Sequence, residues 1–139
     1  MADYIPDIIT LLPQGPPFIM VDRWLGADGT ATRTGFVVPA GNPLVENGRF
    51  TVAGLIENLA QTAAAGEGFE AGAAGNPRRS GKIVAVDRLE VNRLPETGAE
   101  LLTETIVTAR VGDIIVISGQ ITCRQEMIAL GVLKILAGV

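Results

Sequence analysis

Alternation of apolar and polar residues dominates the second half of the chain. Between Ile114 and Arg124, the residues Ile115, Ile117, Gly119, Ile121 and Cys123 point one way, and Ser118, Gln120, Thr122 and Arg124 point the other. That period of two is the signature of a strand with one buried face. Lys82–Asn92 and Glu100–Val111 read as further strands, and Gly112-Asp113 is a two-residue hairpin signal between two of them. The last strand, Met127–Leu136, is apolar on both faces apart from Lys134, so both faces should be covered, one of them by a helix and the other by a second subunit. In the first half, residues 3–12 read as a short helix or turn stopped by Pro13. Phe18–Leu25 and Thr30–Val38 read as strands joined by a turn at Ala27-Asp28-Gly29. Residues 40–49 and 71–80 read as loops, the second of them mobile.

One segment breaks the alternation. From Thr51 to about Gly66 the chain is apolar or small in almost every direction around a helical wheel, which predicts a helix enclosed by the rest of the protein. A curved antiparallel sheet wrapped around that helix would supply the enclosure. Glu57 lies in its middle, and Gln61, four residues on, shares its face. An enclosed carboxylate is costly unless it is paired, hydrogen-bonded or protonated, which makes Glu57 a candidate site residue. The competing reading is a Glu satisfied by Gln61, Asn58 or backbone N–H groups, with no chemical role.

Composition narrows the classes. A chain of 139 residues with 47% hydrophobic residues and 19% charged ones reads as one globular domain, residues 1–139. A net charge of −4 argues against a general nucleic-acid role. The single cysteine, Cys123, excludes an internal disulfide and reads as a buried thiol in a strand. With no histidine and one cysteine, no zinc site is expected. No run approaches the roughly 18 apolar residues of a membrane span, and the first residues lack the form of a signal peptide, so the expected location is the cytoplasm.

Three runs, in order, resemble a known family. Leu11-Leu-Pro-Gln-Gly-Pro-Pro-Phe-Ile-Met-Val-Asp-Arg23 resembles the opening motif of the hotdog-fold 3-hydroxyacyl-acyl carrier protein dehydratases, with Gln14 at that motif's His. Gly54-Leu-Ile-Glu-Asn-Leu-Ala-Gln61 resembles the family's central helix, and Asn92-Arg-Leu-Pro-Glu-Thr-Gly98 resembles its loop before a long strand. The chain is most similar to the divergent dehydratase-like members of aryl-polyene and flexirubin-type pigment pathways. The resemblance implies an α+β hotdog fold, a dimer with its sites at the subunit interface, and acyl thioester substrates. These would be carried on the phosphopantetheine of an acyl carrier protein or on coenzyme A, with no metal or further cofactor. The partner in the dimer would be an identical chain or a homologous hotdog subunit.

The family's catalytic His sits 14 or 15 residues before the helix Glu, and there this chain has Asn42-Pro43. A family Gly five before the Glu falls on Val52, and the nearest glycine is Gly54. Dehydration of a 3-hydroxyacyl thioester needs a base for the proton beside the carbonyl, an acid for the departing hydroxyl and a donor for the carbonyl oxygen. By the resemblance Glu57 is the acid, and Gln61 and Asn42 support it. Free N–H groups at a helix start suit the donor's task on physical grounds, so the N–H groups of Val52–Leu55 are the candidates. Gln14, Phe18, Val52, Gly54 and Leu55 are candidate substrate-binding residues. Arg78, Arg79 and Lys82 form a basic group that could dock an acidic carrier protein, or simply a solvated loop. Without the His, three readings stay open: a dehydratase relying on Glu57, a hotdog thioesterase using Glu57, and a non-catalytic acyl-carrier-binding subunit of a dehydratase complex.

Overall fold

The computed structural model describes residues 7–75 and 81–137. A short 3-10 helix, Ile8–Leu11, precedes strands β1 (Arg23–Asp28) and β2 (Ala31–Val37), joined by a turn at Gly29-Thr30. A small hairpin of β3 (Val45–Glu46) and β4 (Arg49–Phe50) leads into helix α1 (Val52–Ala73). Strands β5 (Gly81–Val91), β6 (Glu100–Val111), β7 (Ile114–Cys123) and β8 (Glu126–Ala137) complete the chain. Six strands form one antiparallel sheet in the order β1-β2-β6-β7-β8-β5, and α1 packs against its concave face, chiefly on β6, β2 and β7. This is the hotdog arrangement expected from the sequence.

The long strands fall where alternation places them. Ile115, Ile117, Ile121 and Cys123 are all buried against the helix side, while Ser118 and Gln120 are exposed. Gly119 belongs to the same inward row because the Leu59 side chain occupies the space its Cβ would need. Leu55 and Leu59 from α1, Phe36, Phe50, Leu101, Ile117, Ile121, Ile128 and Leu133 fill the main core. A second cluster of Ile8, Leu12, Val21, Trp24 and Ala65 lies under the opening segment, where Trp24 stacks on Phe69 with ring centroids 4.8 Å apart.

Four expectations change. The strand read over Phe18–Leu25 begins only at Arg23, because the backbone of Phe18 and Met20 is bonded by helix side chains instead of a neighbouring strand. The loop read over 40–49 contains the β3–β4 hairpin, whose turn is Asn47-Gly48 with both residues at positive φ. The helix runs on to Ala73, so 71–73 are helical, whereas 76–80 lie outside the described residues. Its enclosure is also incomplete. Val52 and Ala53 are exposed, and Ile56, Glu57, Ala64 and Glu67 are half-buried along one open side. Among the described residues, no helix is long and apolar enough to cross a membrane.

Candidate active site at the start of the central helix

The N-terminal turns of α1 are set by three local interactions. The Thr51 hydroxyl caps the helix by accepting from the Gly54 N–H at 3.3 Å, and itself donates to the Leu44 carbonyl at 2.8 Å. The Leu55 N–H bonds to the Thr51 carbonyl. Gly54 is needed because the Phe50 ring fills the space where a Cβ would stand. Of the N–H groups expected to polarise a carbonyl, those of Gly54 and Leu55 are thus engaged. Val52 and Ala53 begin the helix and have no carbonyl one turn back within it.

Ala53 and Glu57, one turn apart, open on the same cavity of about 470 Å³, together with Phe18, Met20, Leu44 and Ile56. Glu57 is the only ionisable residue among these six. The cavity wall formed by Phe18–Met20 is held to the helix by carboxamides. Gln61, fully buried, accepts the Met20 N–H at 2.6 Å and donates to the Phe18 carbonyl at 2.7 Å. Its amide nitrogen also lies 3.3 Å from Glu57 Oε2, so one side chain fixes the wall and steadies the carboxylate. Asn58 donates to the Met20 carbonyl at 2.7 Å and accepts from the Thr103 hydroxyl at 2.6 Å. Thr62 continues the polar row, donating to the Asn58 carbonyl at 2.8 Å and lying 2.7 Å from the Thr34 hydroxyl. Asn58, Gln61 and Thr62 therefore all have partners, as a low-dielectric interior demands.

The other sequence candidates are placed as follows. Phe18 lines the cavity and is 55% exposed. Asn42 is buried and its amide is occupied, accepting from the Leu44 N–H in its own loop at 2.8 Å and donating to Met20 Sδ of the cavity wall at 3.2 Å. Leu55 and Gly54 face the core. Gln14 is half-buried with its Oε1 unpartnered among the described residues, and it does not line the cavity. Arg78 and Arg79 lie outside the described residues. Lys82 is exposed near the start of β5, at the far end of α1 from Glu57. Ala53, within the predicted Val52–Leu55 donor turn, lines the cavity, whereas Ile56, Met20 and Leu44 line it without having been singled out.

A second, larger cavity of about 560 Å³ lies between the C-terminal half of α1 and the sheet. Arg110 at its rim holds Glu67 through two bonds of 2.7 and 2.9 Å. The hydrogen bond to Glu67 raises the Arg110 guanidinium above its ordinary value, against the opposing effect of burial. Among the described residues, no group of three or more His, Cys, Asp or Glu side chains is placed to hold a metal ion.

The fold has counterparts among solved structures. A chain of the dehydratase heterocomplex ApeI:P from Xenorhabdus doucetiae is similar at a TM-score of 0.90 and 15% identity, covering 99% of this chain and 93% of that one. A hypothetical thioesterase from Streptococcus pneumoniae, solved with coenzyme A, is similar at a TM-score of 0.64 and 9% identity, covering 83% and 84%. The PaaI protein of Escherichia coli, from the phenylacetic acid degradation operon, is similar at a TM-score of 0.62 and 14% identity, covering 81% and 80%. No curated protein sequence matches the chain. Residues 6–138 match the sequence model of the ApeP-like family, described as ApeP dehydratase, and the chain belongs to that family.

Proposed function

We propose that this protein acts on 3-hydroxyacyl thioesters as a dehydratase subunit of fatty-acid or polyketide-type synthesis, with Glu57 as its acid–base residue. The observation that carries this reading is the shared cavity, which Ala53 at the helix start and Glu57 line a single turn apart. The thioester carbonyl accepts from the N–H groups of Val52 and Ala53, where the helix dipole favours negative charge. The C–H bond beside the carbonyl breaks as its proton passes to a carboxylate. The C–O bond at the next carbon breaks as the hydroxyl takes up a proton, a double bond forms between the two carbons, and water leaves.

Because Glu57 is the only ionisable residue lining the cavity among the described residues, two routes fit. Glu57 takes the proton and returns it to the hydroxyl, or a group from a second hotdog subunit completes the site. Association favours the second route. Strand β5 is an unpaired edge of 11 residues with Val84 51% and Val86 40% exposed, and such an edge is suited to pairing with another chain. In this reading the substrate arrives on the phosphopantetheine of an acyl carrier protein, and the chemistry needs no further cofactor.

Thioester hydrolysis is the second reading, and the same lone carboxylate favours it, since one carboxylate beside helix-start donors can activate a water. The test is mass spectrometry of a 3-hydroxyacyl carrier protein after incubation with the protein, alone and with a homologous subunit. Loss of water with the thioester retained supports the dehydratase. Release of the free thiol supports the thioesterase. An unchanged substrate in both incubations leaves the carrier-binding subunit as the account.

A further inference from the structure

The polar row between helix and sheet stops short. Asn58, Thr62 and Gly66 stand at intervals of four, so they share one stripe of α1. Opposite them are two cross-strand pairs of buried threonines, Thr34 with Thr103 and Thr32 with Thr105. In the first pair, Thr34 lies 2.7 Å from the Thr62 hydroxyl and Thr103 donates to Asn58 at 2.6 Å. At the second pair the helix offers Gly66 instead, where a Cβ would strike the Thr32 hydroxyl. Thr32 and Thr105 are 7% and 2% exposed, and neither hydroxyl has a hydrogen-bond partner among the described residues. Burying a hydroxyl without a partner costs more than an average hydrogen bond gains, and valine would fill the same strand positions without that cost.

Both threonines line the second cavity, as does Gly66. The buried side chains of Ile115, Ile117 and Ile135 supply an apolar wall beside them. A space of about 560 Å³ with apolar walls and a few convergent polar groups has the make-up of a small-molecule site. Among the described residues, the only cation in its lining is Arg110, which two bonds commit to Glu67, and Glu70 adds a further carboxylate. An anionic head would meet those carboxylates with no uncommitted cation to hold it. No described residue lines both this cavity and the one at Glu57.

We propose that the second cavity is a separate binding site for a compact, uncharged molecule. Its polar head, a hydroxyl or carbonyl, bonds to the Thr32 and Thr105 hydroxyls, and its apolar body lies against the isoleucines. This site stands apart from the thioester reading and does not rest on it. The test uses three probes with one body and different heads: naphthalene, 2-naphthol and 2-naphthoate. Each is titrated into the full chain labelled with nitrogen-15, and amide shifts give both affinity and place. The expected result is 2-naphthol binding at least about tenfold more tightly than either of the others, with shifts at Thr32 and Thr105. In a Thr32→Val, Thr105→Val double variant that preference is lost while naphthalene binding is unchanged. The isosteric variant should unfold at the same denaturant concentration or a higher one, because it removes two hydroxyls that lack partners. Equal binding of 2-naphthol and naphthalene, tighter binding of 2-naphthoate, or a preference that survives in the double variant would overturn the proposal. So would shifts confined to the cavity at Phe18 and Glu57, or binding of none of the three probes.

Discussion

Gln61 Nε2 lies 3.3 Å from Glu57 Oε2 while the same side chain binds both the Phe18 carbonyl and the Met20 N–H. The carboxylate and the cavity wall opposite it are therefore positioned by one amide. Replacing Gln61 by Ala leaves a buried N–H and a buried carbonyl without partners, each costing about 1–3 kcal/mol. A Gln61→Ala variant is expected to lose about 2–4 kcal/mol of unfolding free energy by denaturant titration, with the transition still cooperative.

Gly68 reverses a helix-propensity rule. In an ordinary helix interior, Gly→Ala stabilises by about 1 kcal/mol. At Gly68 a Cβ would strike the backbone carbonyl of Leu11, which cannot rotate away as a side-chain end can. Gly68→Ala is expected to destabilise by about 1–3 kcal/mol. The control is Gly72→Ala, on the same helix, where a Cβ meets open space and the change should be neutral or stabilising.

The β5 edge gives a prediction about assembly. Val86 pairs across from Leu133 in the register with β8 yet remains 40% exposed. A lysine there places a charge in any strand-to-strand interface formed at this edge. Sedimentation of Val86→Lys should show a monomer where the native chain associates with itself or with a homologous subunit, and unfolding of the isolated chain should change by no more than about 0.5 kcal/mol.

Much of the fold was legible because strand side chains alternate with a period of two. Ile115, Ile117, Ile121 and Cys123 declared a buried face from spacing alone, and β6 occupies the predicted Glu100–Val111. Cys123 is buried and free, as its place in that row implied. Phe18–Asp22 misled because its apolar run looks like a strand, whereas the Phe18 carbonyl and both backbone groups of Met20 are bonded by Asn58 and Gln61, about 40 residues away and on a helix. The Asn47-Gly48 turn was legible and passed unread inside a loop rich in such residues.

The site was legible in part. Spacing linked Glu57 to Gln61, and the structure bonds the two and sets Glu57 with Phe18 on one cavity. It does not set Asn42 there, and the Asn42 amide is consumed by Leu44 and Met20. The open side of the helix was hidden because a wheel that is apolar all round carries no mark of which side a neighbour leaves uncovered. The cavities were hidden for a related reason, since small residues read equally as close packing or as space.

The central claim is that Glu57 does chemistry, and one comparison tests it most directly. A 3-hydroxyacyl carrier protein is incubated with the native chain or with Glu57→Gln, each with and without the homologous subunit, and the acyl group is followed by mass spectrometry. The half-buried Glu57 can be replaced by its isosteric amide without opening a void. The account predicts that water loss slows by about 10²–10⁴ in the variant while unfolding is unchanged. Water loss at the native rate in Glu57→Gln would contradict it.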